Sequence, residues 1–157
     1  MADELDITFE VVIDTPVEKV FNAWVEPELL TCWLTRQARV EPRRGGAYEL
    51  FWEPENPARN STQGCRIQDF LPNERISFNW KGPVEHAEVM GAATVVSISL
   101  QKVEDGTLLR FSHSGWGAGM AWEKARAWQA EAWRSAIENL KNLLENTDRF
   151  TQNISMN

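Results

Sequence analysis

Cysteine, histidine and clustered basic charge are scarce in this 157-residue chain, and long apolar runs are missing. The two cysteines, Cys32 and Cys65, lie outside any C-x-x-C pair, so structural zinc and thioredoxin-type chemistry lack support. They read as reduced, partly buried thiols of a cytoplasmic protein. No apolar run approaches the roughly 20 residues that cross a bilayer, so no membrane span is expected. Met1 to Glu10 is acidic and lacks a basic segment followed by an apolar one, so no secretory signal is expected. The sequon Asn60-Ser61-Thr62 is then only a loop. The formal net charge is -7, and the longest basic cluster is Arg43-Arg44. Nucleic acid and anionic membranes need a basic face that this chain does not offer.

Repeats, low-complexity tracts and linkers are also absent. The expectation is one domain over 1–157, with a core at about 5–146 and a C-terminal tail at 147–157. Apolar residues at 43% and charged residues at 25% fit an ordinary globular protein. The unusual feature is the tryptophan content. Eight occur, at 24, 33, 52, 80, 116, 122, 128 and 133, and each is large, rigid and amphipathic. They supply either a bulky core or the walls of a pocket.

Hydrophobic period assigns the elements. Leu5, Ile7, Phe9, Val11 and Ile13 alternate as a half-buried strand does. Thr15-Pro16-Val17-Glu18 then reads as a helix start, with Thr15 as N-cap, Pro16 in the first turn and Glu18 closing a capping box. Val17, Val20, Phe21 and Trp24 form the apolar face of a short helix. A second short helix follows Pro27, with Leu29, Leu30 and Trp33 inward. Strands are predicted at 36–42 and 47–53 around Arg43-Arg44-Gly45-Gly46, and at 63–71 and 74–81 around Pro72-Asn73. Two more lie at 92–103 and 107–113, around Asp105-Gly106. From about Met120 to Glu145 the period becomes helical, with Trp133, Ile137, Leu140 and Leu144 on one stripe. Such a helix spans roughly 40 Å and can cover a sheet. The expected class is α+β: a curved antiparallel sheet of 6–7 strands around a long helix, with two short helices after strand one.

Several segments together resemble a known family. They are Thr15 to Phe21, Glu26 to Trp33, Arg43 to Tyr48, Gly106-Thr107-Leu108, Phe111 to Trp116, and Glu131-Ala132-Trp133 with Ile137, Leu140 and Leu144. Across residues 5 to 146 the chain looks like the START-like (SRPBCC) family named after the activator of the 90-kDa heat-shock-protein ATPase. The resemblance implies a helix-grip fold, also called the birch-pollen-allergen fold, with an internal apolar cavity. It departs at Trp33-Leu34, where many members pair two tryptophans, and at Arg44, where proline is common.

The cavity candidates are Trp33, Tyr48, Trp52, Trp80, Phe111, His113, Trp116 and Trp128. His113 shares the inner strand face of Leu109 and Phe111, where it either anchors a ligand or is satisfied within the core. Ser112 and Ser114 point to the opposite face, so no Ser-His pair forms. Glu49 and Glu53 stand about 13 Å apart on one strand, too far for paired glycosidase carboxylates, and read as surface. Glu85-His86-Ala87-Glu88 reads as a solvated loop, not a metal site. Gly115 to Gly119 matches no nucleotide loop and reads as a joint that makes Trp116 a gate. No catalytic group, metal or cofactor is assigned. The leading expectation is binding of a small hydrophobic or aromatic ligand. The alternatives are an interaction module, with a chaperone or a second copy as partner, and a cyclase- or hydrolase-like enzyme using His113 with Tyr48.

Overall fold

A computed structural model describes residues 5–86, 89, 91 and 94–156. Strand β1, Ile7–Ile13, is followed by the short helices α1, Val17–Val25, and α2, Pro27–Trp33. Strands β2, Gln37–Val40, and β3, Tyr48–Phe51, come next. They are followed by β4, Ile67–Leu71, β5, Arg75–Trp80, β6, Thr94–Val103, and β7, Gly106–Ser114. The chain then enters the long helix α3, Met120–Met156.

The seven expected strands divide into two antiparallel sheets. Five form one sheet in the order β1-β7-β6-β5-β4, while β2 and β3 pair separately. Isolated bridges at Ala47–Arg66 and Phe51–Ser61 join the smaller sheet to the segment leading into β4. Strands β4 and β5, and β6 and β7, pair across tight turns, β5 and β6 pair across a longer connection, and β1 pairs with β7, its most distant partner in the chain. That register sets Phe9 opposite Phe111 and Ile7 opposite His113. The β6–β7 turn needs a glycine: Gly106 has φ 131°, and a Cβ there would fall 2.2 Å from the Ile13 carbonyl oxygen.

Alternation decides which side chains turn inward. Along β7 the buried residues are Thr107, Leu109, Phe111 and His113; along β5 they are Ile76, Phe78 and Trp80. Helix α3 covers this face with Ala125, Gln129, Trp133, Ala136, Ile137, Leu140 and Leu144, all buried. The stripe therefore begins two turns earlier than Trp133, and it contains a glutamine. The helical backbone also continues past Glu145 to Met156, through most of the segment read as a tail.

One local expectation is corrected. Helix α1 starts at Val17, so the N-cap position falls on Pro16, one residue later than assigned. Thr15 instead ties elements together. Its hydroxyl donates to the Leu144 carbonyl at 3.4 Å, and its own carbonyl accepts from the Thr107 hydroxyl at 2.7 Å.

Candidate functional site

The inner face of the sheet meets α3 through a continuous set of aromatic rings with Trp133 at its centre. Its ring centroid lies 4.6 Å from Phe111, 4.9 Å from Trp80 and 6.1 Å from Trp24. Trp24 in turn packs edge-on to Trp33 at 4.7 Å. Tyr48 stacks on Phe78 at 3.8 Å.

Buried indoles must place their N–H groups. Trp33 Nε1 donates to the Ala23 carbonyl, Trp52 Nε1 to the Leu34 carbonyl and Trp116 Nε1 to the His113 carbonyl. Trp133 Nε1 donates to His113 Nδ1 at 3.0 Å, and Trp80 Nε1 to Gln129 Oε1 at 3.2 Å. Because Nδ1 accepts, the neutral imidazole carries its proton on Nε2. Among the described residues, that Nε2 is buried without a partner, as is Trp24 Nε1. Burial lowers the His113 pKa to about 3, so the ring is neutral. Trp116 covers it at 4.7 Å. Gly117 lets Trp122 pack beside this segment, since a Cβ there would lie 2.6 Å from the Trp122 ring.

At one end of this interior, between α3 and β5, lies a cleft of about 230 Å3. Its walls are largely aromatic: Trp52, Trp80, Trp128 and Trp133, with Pro83 beside them. Trp52 and Trp80 meet edge-on at 5.8 Å. Trp128 stands at the mouth, 47% exposed, with the His86 ring 5.6 Å away. Gln129 also lines the cleft, together with Asn60 and Lys81.

The structure thus separates the eight sequence candidates. Trp52, Trp80 and Trp128 come together at the cleft. Trp33, Tyr48, Phe111, His113 and Trp116 are buried in the packed interior and do not line it. Tyr48 is fully buried, its hydroxyl donates to the Trp24 carbonyl at 2.5 Å, and burial pushes its pKa far upward. It shares no ring contact with His113 among the described residues, so the two do not form an accessible acid–base pair. Trp133 and Gln129 are cleft residues that the candidate set lacks. Trp133 stands on the apolar stripe that the helical period marks. Gln129 was hidden by its polarity, although it stands one helical turn before Trp133 on the same stripe.

The remaining motifs sort simply. Ser112 lies with Ser77, Ser97 and Thr8 on the outer face of the sheet, opposite His113. Glu49 is less exposed than its alternation suggests, because it pairs with Arg39 at 3.1 Å and accepts from the Gly64 N–H. Ala87 and Glu88 lie outside the described residues. No cluster of metal-ligating side chains exists among the described residues.

Comparison with known proteins follows the same outline. The family described as "Activator of Hsp90 ATPase homolog 1-like protein" (AHSA1) matches residues 14–145. The chain belongs to this family. A protein of Mesorhizobium loti is similar in structure, with a TM-score of 0.76 at 23% identity, covering 90% of this chain and 98% of that one. The Aha1 dimer from Colwellia psychrerythraea has a TM-score of 0.68 at 23% identity, with 89% and 96% covered. An AHSA1-like protein of Rhizobium etli has 0.66 at 25% identity, with 89% and 81% covered. A search of curated proteins finds no match. No described helix of this AHSA1-like chain is long and apolar enough to cross a membrane.

Proposed function

We propose that this AHSA1-like protein binds a small hydrophobic or aromatic ligand in the cleft between α3 and β5. The observation that carries the reading is the convergence of four indoles, Trp52, Trp80, Trp128 and Trp133, on one concave space. An apolar ligand there would cover Trp128, which otherwise leaves about half its surface in water. Burial of apolar surface is worth roughly 25 cal/mol per Å2. At about 230 Å3 the space is smaller than the roughly 300–1,000 Å3 of typical drug-sized sites, so it suits a ligand of one or two rings. The reading includes a cytoplasmic location, in keeping with the free thiols of Cys32 and Cys65.

Titration with naphthalene, followed by tryptophan fluorescence, tests this. Saturable quenching is expected, weakened by Trp128→Ala with little change in stability. A linear, unsaturable response would remove the reading.

An interaction module is the second reading. Two observations favour it: five of the expected cavity residues are buried in the interior away from the cleft, and α3 leaves Met120 and Trp128 exposed. The partner would be a second copy, as in the Colwellia dimer, or a chaperone. Sedimentation velocity and a chaperone ATPase assay separate the two.

A further inference from the structure

We propose that the cleft selects aromatic ligands bearing a hydrogen-bond acceptor, a carbonyl or carboxylate oxygen, which the Gln129 side-chain amide receives. The proposal rests on the ligand-binding reading above and specifies the chemistry of the ligand.

The orientation of Gln129 follows from its neighbour. An indole N–H can only donate, so the Gln129 atom 3.2 Å from Trp80 Nε1 is the carbonyl oxygen. The amide nitrogen, with its two N–H groups, is left over. Nothing among the described residues accepts from it. The buried side-chain nitrogens without a partner are Trp24 Nε1 and His113 Nε2. The Gln129 nitrogen is not among them, so it remains in contact with solvent. Gln129 is only 4% exposed and lines the cleft, so that contact is with the cleft.

Apart from the half-buried Asn60 side chain, the rest of the buried wall offers no competing polarity. Pro83 and Ala136 are apolar, and the N–H groups of Trp80 and Trp133 are engaged. Three backbone carbonyls around the cleft are also taken. The Leu34 carbonyl receives Trp52 Nε1, the Asn60 carbonyl receives the Trp52 N–H, and the Trp80 carbonyl receives the Thr94 hydroxyl. At the rim, Lys81 adds another donor, its ammonium reaching the Gln63 carbonyl at 3.0 Å. A purely apolar ligand would strip water from the Gln129 N–H groups without replacing it, which is unfavourable. A ligand oxygen replaces that water.

The test uses two probes of similar shape, 2-acetonaphthone and 2-ethylnaphthalene, titrated into the protein by tryptophan fluorescence. The ketone should bind about three- to tenfold more tightly, the range of one net hydrogen bond. In Gln129→Met the ketone's advantage should shrink below about twofold, because the ketone loses its donor and 2-ethylnaphthalene no longer strips water from an amide. Equal binding of both probes by the unaltered protein overturns the acceptor proposal and leaves the ligand-binding reading standing. Persistence of the advantage in Gln129→Met also overturns it. Failure of both probes to saturate removes both readings. Because Gln129→Met takes the acceptor from Trp80 Nε1, the comparison of probes on the unaltered protein decides the matter if that variant does not fold.

Discussion

Trp133 and His113 share the hydrogen bond on which the centre of the molecule depends. Trp133 touches Phe111, Trp80 and Trp24, and it donates to His113 Nδ1. Trp133→Ala should therefore cost about 3–5 kcal/mol, the range for deleting a large buried aromatic. Urea melts showing a loss below about 1 kcal/mol would contradict this packing. His113 gives a pH signature. Its folded pKa is depressed to about 3 by burial, while in the unfolded chain it titrates near its ordinary value of about 6.5. Its contribution is thus fully present above pH 6.5. It is lost as pH falls towards 3, because the unfolded state takes up a proton that the native state refuses. The slope approaches about 1.4 kcal/mol per pH unit. In urea melts between pH 7 and pH 4.5, His113→Leu should show a shallower decline than the unaltered protein. Equal slopes would mean that His113 charges in the native state.

At the scale of elements, the junction of β1, α1, β7 and α3 is held by hydroxyl groups. Thr107 donates to the Thr15 carbonyl, and Thr15 to the Leu144 carbonyl. Thr15 and Thr107 are both buried, so their polar groups need these partners. Thr107→Val keeps the shape and removes the donor, leaving the Thr15 carbonyl without that bond. The expected cost is about 1–3 kcal/mol, measured by chemical denaturation. An unchanged midpoint would show that other bonds hold the junction. The position of Thr15 in sequence suggested a helix cap. The local signal was real, since Pro16 and Glu18 do open a helix, but the hydroxyl is used across 129 residues of chain.

At the scale of the molecule, ligand binding and folding are linked. A ligand that binds only the native state stabilises it by about 2.7 kcal/mol at a hundredfold excess over Kd. For a chain of this length that should raise Tm by about 5–10 °C. Scanning calorimetry with 2-acetonaphthone checks this, and a Tm independent of ligand concentration would count against the cleft.

The residue pattern by itself determined the elements and their order. Period two marks β1 and β5 to β7, period 3.6 marks α1 and α3, and glycine or proline marks the turns. These signals are local, because strand and helix periods depend on neighbours a few residues away. The same alternation correctly turned Trp80, Phe111 and His113 inward and Ser112 outward. Only the tertiary structure decided which inward side chains meet empty space. Trp52, Trp80 and Trp128 reach the cleft, whereas Trp33 packs on Trp24, Tyr48 on Phe78, Phe111 on Trp133 and Trp116 on His113. That division depends on where α3 crosses the sheet, on the β1–β7 pairing and on the placement of β2 and β3 beside β4, none of which is a local property. Gln129 shows the same limit most clearly. As a polar residue on a helix it suggests exposure, and only the donor-only indole of Trp80 beside it turns its amide into a buried group with hydrogen bonds to offer.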